Sequence, residues 1–272
     1  MRELIYSRNA VYECLRAGRR EVFKLLVSEG AQEKGSLGKS LQLAGERRMA
    51  VQRVPRAQLD RISDGHQGVA AEVSGYPYVA LDDLTQCGHS ERGEGTLAHR
   101  SEALRREADP GDRLQPLFLV LDCLQDPQNL GTLLRTAEAV GVSGVVLAQE
   151  RAASITPAVV NASSGATEHL RIARVTNIVR SLKELKKADV WVVGLEDRPD
   201  AQDYVTTDWR GPLALVVGSE GEGIRRLVRE TCDFLVKLPM LGKITSLNAA
   251  VAGSIVLYET LRQRRPTVQM AD

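Results

Sequence analysis

Four runs of consecutive apolar residues limit the folds open to this chain: LFLVL at 117–121, GVVLA at 144–148, VWVVGL at 190–195 and LALVV at 213–217. None alternates apolar with polar residues, so each suits a strand buried on both faces. The stretches 132–140 and 178–187 between them carry apolar residues at helical spacing. Strands alternating with helices in this way predict an α/β fold with a mainly parallel sheet covered on both sides. Ligands of such sheets sit outside the carboxyl ends of the strands. The loops that follow the strands are therefore where chemistry is expected.

Two such loops lie close together in the last third of the chain. The strand at 213–217 runs into Gly218-Ser219-Glu220-Gly221-Glu222-Gly223, and a basic helix with Arg225, Arg226 and Arg229 follows. A short apolar strand at 234–238 leads to a loop at 239–245. A long amphipathic helix then opens at Ser246-Leu247-Asn248.

The first part of the chain has its own apolar pattern. Residues 5–16 read as a helix ended by Gly18, residues 22–27 as a buried strand and residues 37–48 as a helix. A short strand at 51–54, a helix at 55–62 and an alternating strand at 69–73 complete a small α/β unit, expected to be an independent domain over 1–76. Residues 77–115 turn polar, with Asp109-Pro110-Gly111 and a helical piece at 101–108, and read as a flexible linker. The other reading is a segment that orders on RNA through Arg92, His99, Arg100, Arg105 and Arg106. Residues 116–272 form the second domain.

Composition excludes rather than selects. A net charge of +1 neither demands nor forbids nucleic acid, because a local patch can hide within it. Cys14, Cys87, Cys123 and Cys232 are far apart and form no C-x-x-C pair, so reduced thiols in a cytoplasmic protein without a metal site are expected. No apolar run reaches the roughly 18 residues of a membrane span. Residues 1–11 lack the apolar core of a signal peptide.

Asn129 sits at the turn after the 117–122 strand, either as a helix cap or as a polar group facing a ligand. Arg135 lies six residues on, and its planar fork suits a phosphate, unless it is a solvated surface residue. The glycine loop is a poor dinucleotide site, because Glu220 and Glu222 would oppose a pyrophosphate. It is either a plain tight turn or a loop for a positively charged ligand approached by backbone, which describes the sulfonium S-adenosylmethionine. Ser246 reads as the cap of the last helix, whereas Asn248 in a first turn is disfavoured by helix propensity. Arg225, Arg226 and Arg229 are a solvated face or a phosphate-tracking surface.

Three motifs occur together: Asn129-x-Gly131-x-x-x-Arg135, Gly218-Ser219-Glu220-Gly221-x-Gly223, and Leu238-Pro239-Met240 followed by Ser246-Leu247-Asn248. In order and separation they resemble the three motifs of the SpoU (TrmH-like) RNA 2′-O-ribose methyltransferases. Residues 156–170 (TPAVVNASSGATEHL) are similar to the ribosomal RNA branch of that family. The resemblance covers residues 117–265. It extends to residues 5–73 through likeness to the family's N-terminal substrate-binding domain, which has the fold of ribosomal protein L30e. Ser7 stands where that domain's motif has a glycine.

The resemblance implies an α/β trefoil knot (the SPOUT fold) with residues 218–248 as its threaded part, and a homodimer whose interface adjoins the active site. Ala252, Ile255, Val256 and Tyr258 of the last helix are available for that interface or for the core. It further implies S-adenosylmethionine held by backbone groups of Gly218, Leu238 and Leu247, with Leu195, Ser219 and Met240 nearby. Asn129, Arg135, Glu220, Ser246 and Asn248 match the family's functional polar positions. The expected substrate is a guanosine of large-subunit (23S) ribosomal RNA, with Arg8, Arg16, Arg19, Arg20 and Lys24 contacting phosphates. An adenosine of ribosomal RNA, as in resistance enzymes, transfer RNA, and an inactive RNA-binding protein are the alternatives.

Overall fold

The computed structural model describes residues 2–86, 115–150, 152–244 and 246–265. The helical piece expected at 101–108 and the cationic residues expected to order on RNA lie outside them.

The N-terminal unit runs β1 (Arg2–Tyr6), α1 (Arg8–Ala17), β2 (Val22–Ser28), α2 (Ser36–Glu46), β3 (Ala50–Val54), α3 (Arg56–Asp60) and β4 (Val69–Ser74). Its sheet has the order β1-β4-β2-β3 and is mixed: β4 is antiparallel to both neighbours, whereas β2 and β3 are parallel. The helix expected from residue 5 begins only at Arg8, because Ile5 belongs to β1. Between strand and helix Ser7 adopts φ 80° and ψ 149° while buried. That region is nearly closed to residues with a Cβ, which explains why a glycine is expected there. Ser7→Gly should raise the unfolding free energy by about 1 kcal/mol. Urea unfolding would show it, and an unchanged or lower midpoint would refute the strain.

A short helix, α4 (Leu81–Gln86), leads away from this unit. The second domain then runs β5 (Leu117–Leu121), α5 (Pro127–Ala139), β6 (Gly144–Ala148), α6 (Pro157–Ala162), β7 (Ile172–Val175), α7 (Ile178–Lys187) and β8 (Trp191–Leu195). It continues through β9 (Gln202–Asp203), β10 (Leu213–Val217), the single turn α8 (Arg226–Arg229), β11 (Phe234–Lys237) and α9 (Ala249–Arg264). The seven strands are ordered β7-β6-β5-β10-β8-β11-β9 and all neighbours are parallel.

The two faces of this sheet bury alternate residues. Leu119, Leu121, Leu215 and Val217 pack with Leu130, Leu133 and Leu134 of α5 and with Val256 and Leu257 of α9. Phe118, Val120, Ala214 and Val216 pack with Ile178, Leu182 and Leu185 of α7 and with Val228 of α8. The chain winds from β5 through β6 to β7 on one side and lays β8, β10 and β11 on the other. The crevice between β5 and β10 is thus the switch point of the sheet. Buried Asp122 closes its floor by accepting from Arg225 N at 2.9 Å and Nε at 2.8 Å.

The two units are not separate bodies, as independent domains would be. One apolar cluster runs through both, joining Ile5, Val11 and Tyr76 to Leu130, Val159 and Ile172. Residues 77–86, expected to belong to the linker, pack on the larger sheet instead. Val79 bridges Ala173 beside β7, and Leu84 is buried beneath Gly144. Two tyrosine hydroxyls at the seam are matched as well. Tyr76 Oη donates to the Thr167 and Leu170 carbonyls at 2.8 and 3.0 Å, and Ile155 N–H donates to Tyr78 Oη at 2.8 Å. No described helix is long and apolar enough to cross a membrane.

Candidate active site

Asp126 caps α5, accepting from the amides of Gln128 and Asn129, with Pro127 in the first helical position. Those amides hold the Asp126 carboxyl below the usual carboxylate range. Asn129 is therefore not the cap, and its side chain is free to face the crevice. Asn248, rather than Ser246, caps α9: its Oδ1 accepts from Ala250 N at 2.9 Å and Val251 N at 3.1 Å. A cap lies outside the helix proper, so the unfavourable propensity of asparagine does not apply.

Capping fixes which way the Asn248 amide points. Its Nδ2 donates to Asn129 Oδ1 at 2.9 Å and to Glu220 Oε1 at 3.3 Å. Asn129 Nδ2 donates to the same Glu220 oxygen. Three of the five expected polar residues, 91 and 119 positions from Asn129 for Glu220 and Asn248, thus form one hydrogen-bonded cluster. Both donors engage Oε1, and among the described residues none bonds Glu220 Oε2.

Leu195, Gly218, Ser219, Leu238, Met240 and Leu247 line one cavity of about 370 Å³. It opens between the loops after β8, β10 and β11, and Ser246 is on its wall. Such a volume is within the range of small-molecule sites. Gly218 is buried, and a Cβ there would lie 2.2 Å from the Gly223 carbonyl carbon. The turn that crosses it is closed by Ser219 N to Gly223 O at 3.0 Å and the reciprocal bond at 3.1 Å. Among the described residues, the backbone groups of Gly218, Leu238 and Leu247 make no hydrogen bond within the chain. They remain available to adenine and ribose, so the cavity fits S-adenosylmethionine. Glu196, Asp197, Glu220 and Glu222 also line it, with Lys237 as the one cation there among the described residues. That balance favours a sulfonium and opposes a pyrophosphate. Glu196 and Asp197 were not anticipated, although their place directly after an apolar strand signalled them.

Arg135 is exposed and stands apart from the cluster. Its Nη1 donates to Ser164 Oγ at 3.2 Å, and no carboxylate pairs with it among the described residues. Arg225 and Arg229 are engaged with Asp122 and Glu196, and Arg226 with Glu230. Arg225 and Arg229 brace the site through these carboxylates, whereas the Arg226 pair lies in solvent on α8. Of the cations expected to meet RNA, Arg16 is exposed, while Arg8 and Lys24 are partly so, bonded to Gln67 and Glu72.

Arg19 and Arg20 require a correction. Arg20 has a side-chain exposure of 0%, pairing with Glu3 at 3.0 Å and Glu168 at 3.4 Å. Arg19 donates to the carbonyls of Glu168, Leu170 and Pro77. Both hold the seam together: Arg20 is shut off from any ligand, and Arg19, though partly exposed, commits its guanidinium to these carbonyls. Burial pushes the Glu168 carboxyl up, and Arg20 and Arg19 pull against it.

Comparison with known proteins follows the same division. The profile of the SpoU rRNA Methylase family matches residues 116–258, and that for RNA 2′-O ribose methyltransferase substrate binding matches residues 4–79. A Bacillus subtilis (strain 168) protein named as a TrmH family tRNA/rRNA methyltransferase, YacO, is 44% identical over 265 residues, 97% of each chain. The SpoU methyltransferase AviRb from Streptomyces viridochromogenes, solved with its AdoMet cofactor, superposes with a TM-score of 0.73 at 25% identity, covering 97% of this chain and 90% of that one. A structure described as an RNA 2′-O ribose methyltransferase gives 0.72 at 27% identity, over 97% and 89%. The parallel sheet of the second domain is the SPOUT α/β knot.

Proposed function

We propose, from the premise that this chain belongs to the SpoU rRNA methylase family and is an S-adenosylmethionine-dependent RNA 2′-O-ribose methyltransferase, that its acceptor is a guanosine of 23S ribosomal RNA. The observation that carries the site assignment is the Asn129–Glu220–Asn248 cluster on the rim of the cofactor cavity. The ribosomal target is supported by the substrate-binding domain over 4–79 and by the sequence at 156–170.

Bound S-adenosylmethionine supplies a methyl group already activated by the sulfonium. What this chain's residues must do is align the ribose 2′-hydroxyl and take up its proton. Alignment alone supplies a large part of the acceleration. Arg135, without an ion pair among the described residues, holds the phosphate beside the target ribose and its developing oxyanion. It stays protonated, so it is no base. Glu220, steadied by two amides through Oε1, offers Oε2 as the proton acceptor. Ser246, on the cavity wall, and the amides of Asn129 and Asn248 fix geometry with neutral hydrogen bonds.

A second copy of the chain is the proposed partner. Leu247, Val251, Ile255 and Tyr258 form an exposed apolar stripe from the cavity rim along α9, whereas Val256 is buried. The enzyme would act in the cytoplasm, where its RNA is.

Labelled S-adenosylmethionine incubated with unmethylated large-subunit RNA and, in parallel, with unmodified transfer RNA, followed by nuclease digestion and mass spectrometry, tests the target. The expected product is one 2′-O-methylguanosine. Label in an adenosine would assign the enzyme to the resistance type, and label confined to transfer RNA would refute the ribosomal target. Light scattering of the same preparation should give twice the chain mass.

A further inference from the structure

We propose that Ser164 is a positioning residue for Arg135, and that the docked N-terminal domain holds it in place. This rests on the role given to Arg135 above. Helix α6 ends in a Schellman turn, with Ser164 N–H donating to Asn161 O at 2.8 Å and Gly165 N–H to Val160 O at 2.9 Å. The residue in left-handed conformation at such a turn is usually glycine. Here it is Ser164, at φ 54°, and the glycine follows one position later at φ 85°. The backbone therefore disfavours a side chain at Ser164. A strained residue kept at a site points to a use for its side chain. That use is the 3.2 Å bond from Arg135 Nη1 to Ser164 Oγ, the guanidinium's sole partner among the described residues. One bond of this kind aims the group and leaves most of its N–H donors for RNA.

The turn is pressed from its other side by the N-terminal domain. A Cβ at Gly165 would stand 2.8 Å from Glu13 Cβ and 3.1 Å from Ala10 Cα, both on α1. The residues just beyond are held by the same domain, through Tyr76 to Thr167 O, Arg20 to Glu168, and His169 Nε2 to Glu13 Oε2 at 2.7 Å. Five residues of the second domain, 164–168, thus touch Arg135 at one end and α1 and its neighbours along their length. The N-terminal domain acts on turnover through this turn as well as on RNA affinity.

Ser164→Gly separates this role from a structural one, because the two predict opposite outcomes. Glycine suits the turn, so a residue that served only the turn would leave stability equal or higher and activity intact. The expected result is unchanged or higher Tm, unchanged cofactor affinity and unchanged KM for RNA, with kcat about tenfold lower, the size of one lost hydrogen bond to a charged group. In an Arg135→Ala background the same change should cost nothing more. Wild-type kcat in Ser164→Gly, or an equal further loss in the Arg135→Ala background, would overturn the positioning role. Wild-type turnover in Arg135→Ala alone would instead overturn the reading of Arg135.

Discussion

Arg135→Ala should lower methyl transfer by roughly 10²- to 10³-fold, the scale of removing one preorganised donor from a developing oxyanion. Cofactor affinity should be unchanged. Arg135 lies six residues beyond Asn129 on α5, about 9 Å along the axis at 1.5 Å per residue, and is not on the wall of the cofactor cavity. No carboxylate neutralises it among the described residues. Single-turnover assays give the rate, and calorimetry with S-adenosylmethionine gives the affinity. Lost cofactor binding would place Arg135 at the cavity and remove its proposed role toward RNA. Lysine at this position should rescue poorly, since a point charge cannot reproduce a two-pronged contact.

Gly218→Ala should act at the opposite step. Its Cβ would stand 2.2 Å from Gly223 C, 2.3 Å from Gly223 O and 2.4 Å from Ile224 N. All three are backbone atoms, so no side-chain rotation relieves the clash. The turn over 218–223 must open, and with it the cavity wall that also carries Glu220. Overpacking of this kind costs about 1–3 kcal/mol of stability, which a domain of this size can absorb. Misplacement by an ångström costs a reaction ~10²-fold, so methyl transfer should fall by at least that much and cofactor binding should weaken, while circular dichroism still reports a folded protein. Wild-type affinity in the folded variant would show that this turn does not contact the cofactor.

The sheet was legible because β5, β6 and β10 are apolar at every position, a pattern that only double-sided burial explains. The site was legible because Asn129, Glu220 and Asn248 each lie between the end of a strand and the first turn of the helix that follows it, although only folding joins them. What escaped notice depended on distant partners or on strain. Arg20 carries a surface residue's charge, and its burial is possible only because Glu3 and Glu168 arrive beside it. β1 was hidden because Ser7 turns the chain in a conformation that serine rarely takes, so the apolar spacing of α1 runs on into the strand without a visible break. The packing of residues 77–86 rests on Tyr78, Val79, Leu81 and Leu84, a few apolar residues in a stretch whose composition continues into a polar segment. The cap of α9 was misplaced by two residues because serine and asparagine are equally good caps and both were present.

The cofactor cavity draws its walls from residues 195–252, and Ala249 and Ala252 belong to the final helix. A chain leaving the ribosome delivers Leu195 and Gly218 early, yet the cavity proposed for S-adenosylmethionine is not closed around them until α9 has been synthesised and drawn into place. Both sheets are by then already encoded and able to form. The cofactor is therefore no template for their assembly. The extra stability that binding confers reaches only molecules whose threading is complete, so S-adenosylmethionine distinguishes finished enzyme from chains still being made.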